Sequence, residues 1–223
     1  MNSEELVRSL VADLTPVRRL ASVDARAMRW AVMALACVCL GSYALGSRPD
    51  LAGKLHDPAY LTESAALLVV FVAAARTAFH LGIPGAEPGP LARAVPIAGL
   101  FAWVLLLASR GSPGASDPLP AAGAWLDGLP CVGRMLGLAV APTLAILLLL
   151  RRAAPGERRW TGLFAVLSSS ALAILGTQVV CMKDAPRHLL LWHVAPVLIA
   201  ALVGAGAGRL LLTCRRDRGG HSP

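Results

Sequence analysis

Long apolar runs separated by short polar links occupy most of the chain beyond residue 29. A membrane-spanning helix needs roughly 17–25 mostly apolar residues. Six runs approach or meet that length, at about 30–46, 61–81, 92–108, 133–150, 161–180 and 189–213. Arg76 falls late in the second run, and Pro142 and Pro196 interrupt the fourth and sixth. Membrane bundles tolerate such prolines because neighbouring helices satisfy the freed backbone groups. The pattern predicts an all-α, polytopic membrane protein with six transmembrane helices.

A different period precedes the first run. Leu6, Leu10 and Leu14 recur at i, i+4 and i+8, with Val7 and Val11 beside them. That spacing lays one apolar face along a helix. Asn2 followed by Glu5 resembles a capping box, and Pro16 ends or kinks the helix. Val17 and Leu20 carry the stripe past the proline, on either side of Arg18 and Arg19. Acidic residues at positions 4, 5, 13 and 24 do not suit the short basic start of a signal peptide. The expected organisation is a retained amphipathic segment over 1–28, a six-helix membrane domain over 29–214 and a basic tail over 215–223.

Composition agrees with this picture. The chain is 56% hydrophobic and 15% charged, against about 25% charged for a soluble domain. Its mean hydropathy is +0.63. The net charge of +8 invites a nucleic-acid reading until the charges are located. Of the 21 Lys and Arg residues, fifteen lie in or at the edges of the N-terminal segment, the second and fourth links and the tail. The other six are Arg48, Lys54, Arg110, Arg134, Lys183 and Arg187. Positive charge concentrates on the cytoplasmic side. Both termini are therefore expected in the cytoplasm, and an even number of helices fits this. The partner implied is the lipid bilayer, with no direct contact to nucleic acid.

This orientation sorts the five cysteines. Cys37 and Cys39 lie within the first helix, where cysteine acts as a small hydrophobe. Cys214 follows the last helix on the reducing side. Cys131 and Cys181 each stand at the outer mouth of a helix. A bacterial periplasm is oxidising. Two thiols there can form a disulfide if their Cα atoms approach within about 7 Å, share a soft metal ion, or be unrelated.

Cys181 opens the stretch CMKDAPRHLLLWHVAPVL. Asp184 and Pro186 make a good helix start, and His188 and Trp192 suit a membrane interface. His193 lies deeper, where an ionisable group is costly. On a regular α-helix His188 and His193 stand about 140° apart, so no metal pair is predicted there, and no cofactor. CxxC, HExxH, Walker and GxGxxG patterns are absent, and the chain is not expected to be an enzyme. Ala200, Gly204 and Gly208 form a small-residue face for helix packing, which permits a homo-oligomer. Ser168, Ser169, Ser170, Thr177 and Gln178 are suited to bonds between helices. An alternative is a small transporter or membrane redox protein built on Cys181, Asp184, His188 and His193. A transporter should show polar groups at mid-bilayer from several helices, and this chain has few.

Three segments together resemble one known family. They are LVRSLVADLTPVRRL before the helices, RRAAPGERRWTG between the fourth and fifth, and CMKDAPRHLLLWHVAPVLIAALVGAGAGR at the end. The chain looks like a member of the NrsF family of bacterial membrane anti-sigma factors. The resemblance implies that the N-terminal segment holds an extracytoplasmic-function sigma factor at the inner membrane. It carries over Leu10, Asp13, Leu14, Pro16 and Val17 as sigma-binding positions, beside the stripe residues Leu6 and Leu20. It also implies that Cys131 and Cys181 are an outward sensor pair for thiol-active stress, by redox or metal chemistry. Asp184, His188, Trp192 and His193 would support that sensor turn.

Overall fold

The computed structural model describes residues 2–12, 21–111, 124–153 and 155–212. Among these residues there are helices and no strands. A short helix, α1 (Ser3–Ala12), precedes α2 (Val23–Leu45), a single turn α3 (Leu51–Lys54), α4 (Pro58–Leu81) and α5 (Pro90–Ser109). A 3-10 turn (Ala124–Gly128) leads into α6 (Leu129–Arg151), followed by α7 (Arg158–Val180). The last span begins as α8 (Pro186–Leu189), widens into a π-helical turn (Leu190–Val194) and continues as α9 (Ala195–Leu211). Six helices are long and apolar enough to cross a membrane. Each matches one apolar run of the sequence. Most begin a few residues earlier because caps and prolines extend them. Ser22 Oγ accepts from Ala25 N–H at 3.3 Å, and Asp57 accepts from Ala59 N–H at 3.0 Å. Pro58, Pro90 and Pro186 occupy first positions, where a missing N–H costs nothing.

α7 is the centre of the bundle, packed against α2, α4, α6 and α9 and buried along almost its whole length. Its small residues explain this position. Lipid tails are as apolar as leucine, so close packing and hydrogen bonds hold membrane helices together. A Cβ added to Gly162 would stand 2.2 Å from the Gly204 carbonyl oxygen, and one on Gly208 would stand 2.2 Å from the Arg158 carbonyl oxygen. The GxxxG face of α9 is thus taken up within the chain, against α7. Its buried members are Ala201, Gly204, Ala205 and Gly208, with Ala200 half-buried at the flank.

Hydrogen bonds cross the same seams. Ser42 Oγ donates to the Gly176 carbonyl at 3.1 Å, Ser168 Oγ to the Phe71 carbonyl at 2.9 Å, and Ser64 Oγ to Gln178 Oε1 at 3.2 Å. Trp30 Nε1 donates to the Pro142 carbonyl at 3.1 Å. Ser169 and Thr177 bond back to their own helix, to the Ala165 and Ala173 carbonyls. Leu40, Phe101, Leu148 and Leu202 point outward, as expected of a lipid-facing belt. Cys37 and Cys39 lie on that exposed surface rather than in the core.

Links that the charge pattern assigns to one side meet at one end of the bundle. Arg76 Nε donates to Asp24 at 2.9 Å, joining α4 to α2. Arg93 forms a bidentate pair with Glu157 at 2.7 and 2.8 Å, joining α5 to α7. Arg48, Lys54 and Asp184 meet at the other end.

Candidate functional site

Cys131 falls in the first turn of α6, just after Pro130. Cys181 caps the end of α7 in extended conformation, with its N–H donating to the Thr177 carbonyl at 2.7 Å. The two helix ends bring the thiols together: Sγ to Sγ is 3.2 Å, both side chains are buried and both are free. The half-buried His188 places Nε2 3.8 Å from Cys181 Sγ. His193 is fully buried, and neither ring nitrogen has a hydrogen-bond partner. The two imidazoles meet edge to face, with centroids 5.5 Å apart. One ligand atom from each of Cys131, Cys181, His188 and His193 lies within 4.8 Å of every other.

The regular-helix projection that separates the two histidines does not hold. Ala195 N–H donates to the Leu190 carbonyl, an i to i−5 bond. A π turn accommodates one extra residue, so positions five apart come to the same side. Pro196 supplies a local cause. Its ring cannot approach the carbonyl four residues back, and it has no N–H to donate. A wider turn relieves that clash.

Trp192 is half-buried and rests on the backbone of Gly128, where an added Cβ would lie 2.1 Å from the indole. The glycine lets the π turn dock against the segment that leads into Cys131. Lys183 Nζ donates to the Asp127 carbonyl at 3.2 Å and ties the link after Cys181 to the same segment.

Beside the thiols stands an ion-pair network. Gly46 ends α2 at φ 86, a region that favours glycine. Two residues on, Arg48 turns inward. Its side chain is only 2% exposed. It donates to the Cys181 carbonyl at 2.8 Å, to both Asp184 oxygens at 2.8 and 2.7 Å, and to both Asp50 oxygens at 2.6 and 2.9 Å. Lys54 adds a bridge to Asp184 at 2.8 Å. The Arg48 hydrogen bonds hold the Asp184 carboxyl down to about 2, with Lys54 assisting and burial opposing. Asp184 in turn raises Arg48, followed by Asp50, and raises Lys54. Asp184 is therefore no helix cap. Ala185 holds that position without a side-chain bond, and the carboxylate reaches across to another link.

Sequence reasoning overlooks Arg48, which entered only as one charge among many. Its signal is compositional: opposite charges in two short links on one side of the membrane. Glu63, buried within α4 and paired with Arg110, also escapes a reading centred on the last span.

The sigma-binding positions distribute differently. Leu6 and Leu10 lie in α1, with Leu6 exposed. Asp13, Leu14, Pro16, Val17 and Leu20 lie outside the described residues, as does Cys214. Half of the expected capping box is present, with Asn2 N–H donating to the Glu5 carboxylate at 3.2 Å.

A family model described as NrsF, negative regulator of sigma F, matches residues 10–213. The chain belongs to the NrsF family. The family description implies a negative regulator with a sigma factor as its target. The match runs from α1 through α9, so the six spans and the cysteine turn both fall within the NrsF region. No curated protein and no solved structure matches the chain.

Proposed function

We propose that this NrsF-family protein sequesters an extracytoplasmic-function sigma factor at the bacterial inner membrane and releases it when thiol-active stress reaches Cys131 and Cys181. Both termini lie in the cytoplasm, following the excess of Arg and Lys on that side. The observation that carries the sequestration is the apolar stripe of α1. Leu6, Val7 and Val11 are 42%, 59% and 57% exposed, on a ten-residue helix too short to bury a core of its own. Such a stripe fits the helix-in-groove mode of recognition.

The thiol pair supports the sensing half. Two free thiols 3.2 Å apart have a common chemistry with oxidants and soft metals. Reaction there has to change the relative stability of two helix arrangements, or nothing is released. The seam between α7 and α9 is a physical route. α7 ends at Cys181, α9 continues from the turn that carries His193, and the two helices interlock at Gly162, Gly204 and Gly208.

Leu6→Glu and Leu10→Glu test the partner surface in the full-length protein. A charge placed in an apolar groove costs several kcal/mol, on the order of a hundredfold or more in binding. Sigma-dependent transcription rises constitutively in both variants and stays low in Arg8→Ala, with equal protein levels. Full repression by all three variants moves the binding surface off α1.

A further inference from the structure

Two close thiols are sufficient for a redox pair, and they leave the histidines unexplained. His193 is fully buried in a membrane-spanning segment with both ring nitrogens unpartnered. An unsatisfied buried polar group is costly, and π turns are rare and concentrate at functional sites. Here the π turn sets His193 beside His188 and facing the thiols. Pro196 explains the wide turn but not the unpartnered imidazole that it places there, and an ion at that point accounts for the latter.

We propose that Cys131, Cys181, His188 and His193 form a closed, four-coordinate site for a borderline or soft divalent cation of the zinc and cadmium class. This names the ligand of the sensor proposed above and rests on that reading. Two thiolates with two imidazoles are a common zinc donor set, and thiolate ligands select soft ions over hard ones. A tetrahedron with metal–sulfur bonds of about 2.3 Å and metal–nitrogen bonds of about 2.0–2.1 Å needs ligand separations of about 3.3–3.8 Å. The sulfurs are now 3.2 Å apart, and the widest separation in the set is within 4.8 Å. Side-chain movements of about an ångström close the site.

Charge balances as well. Each thiol loses its proton to water as the ion enters, while both histidines bind as neutral imidazoles. Two thiolates then cancel the charge of the dication, so the buried site carries no net charge. Supporting contacts are in place. Arg48 holds the Cys181 carbonyl at 2.8 Å, and Trp192 seats on Gly128 ahead of α6. Four protein donors leave no open position for a substrate, which is the arrangement of a structural or regulatory site rather than a catalytic one. A disulfide between the same sulfurs would leave both imidazoles idle.

The test is titration of the purified, full-length protein in detergent, reduced and freed of metal, with Co²⁺ as a spectroscopic probe and with Cd²⁺. The wild type takes up one ion per chain and gives the intense visible bands of tetrahedral Co²⁺, with sulfur charge-transfer bands beside them. Cys131→Ser weakens the charge transfer. His188→Ala and His193→Ala shift the visible bands and weaken binding by at least the roughly 10–100-fold that loss of an outer-shell partner costs. His188 is half-buried, so its variant keeps the test open if the His193 variant does not fold. A wild type that binds no ion, or a His188→Ala protein with the wild-type spectrum and affinity, overturns the four-ligand site. Reporter induction in the Cys131→Ser strain separates the two ideas. Lost induction with unaltered Co²⁺ binding by His188→Ala retains the sensor and removes the site. Full induction with a four-ligand spectrum retains the site and removes the sensor.

Discussion

The two ends of this bundle handle polar groups in opposite ways. At the cysteine end, charges are drawn inward and shared. Arg48 is almost fully buried and serves two carboxylates and a carbonyl from three links or helix ends. At the other end, the Asp24–Arg76 pair sits in the open, with side chains 61% and 64% exposed. α1, earlier in the chain, leaves Leu6, Val7 and Val11 exposed. Exposed ion pairs contribute little, whereas a buried and fully bonded pair fixes geometry and is costly to break. One end is therefore tied together by its own buried ion pairs, while the α1 stripe is left for something else to cover. That asymmetry supports the proposed reading, in which a small reactant acts on one side of a membrane and a macromolecule is held on the other.

The sharpest way to break this comparison is at the thiols. Cys131→Ser and Cys181→Ser each abolish induction by cadmium or an oxidant, while basal repression survives because the partner surface lies elsewhere. With a dithiol as the proposed resting form, serine locks the repressing state. The double variant adds nothing further, since residues that act as a unit are strongly non-additive. Reporter induction with matched protein levels measures this. A full response in both single variants ends the paired-thiol mechanism.

A smaller effect separates the buried arginine from the exposed one. Arg48→Ala strips the hydrogen bonds from Asp184 and the Cys181 carbonyl. Breaking a buried pair costs roughly 3–5 kcal/mol. Water reaches the carboxylates here, so the expected loss is about 2–3 kcal/mol. Arg76→Ala should leave stability unchanged within error. Thermal unfolding of the full-length variants in detergent compares them directly. Equal losses would mean that the two ends are built alike, contrary to the burial of Arg48.

The six spans were legible because hydropathy is a bulk property that does not depend on packing detail. Sidedness puts Cys131 and Cys181 at helix mouths on one face but leaves them open as unrelated residues; only the family resemblance implies a pair, and the structure brings the sulfurs to 3.2 Å. The histidine pair was not legible, because its prediction assumed 100° per residue through a segment that Pro196 forces wider. The role of Asp184 was misread for another reason. Asp before Pro is a good local cap signal, but a buried guanidinium from a distant link outcompetes a local N–H for that carboxylate. The α9 glycines were recognised as a packing face, yet nothing in their spacing says whether the partner is α7 or a second copy. The sequence supplies local preferences, and long-range partners decide among them.

The smallest predicted effect concerns acid, and its sign follows from the same network. Arg48 and Lys54 hold the Asp184 carboxyl down to about 2, below its ordinary value of about 3.9. The folded state therefore takes up this proton less readily than the unfolded state. The contribution of Asp184 to stability is complete above about pH 4 and is lost as pH falls through about 2. Lys54 is raised by the same partner, so its contribution is complete at neutral pH and is lost only as pH climbs past about 10.4. Across pH 5 to 8 the network should leave thermal stability flat. Asp184→Asn should lower stability at neutral pH and shrink the decline between about pH 4 and 2. Part of the decline must persist, because Asp50 is also held down by Arg48 and still titrates in the variant. Unfolding midpoints of the two proteins at matched pH measure the difference. If the acid limb of Asp184→Asn overlays that of the wild type, Arg48 draws its stability from Asp50 within its own link, and the contact that joins the α2 link to the cysteine turn carries no energy.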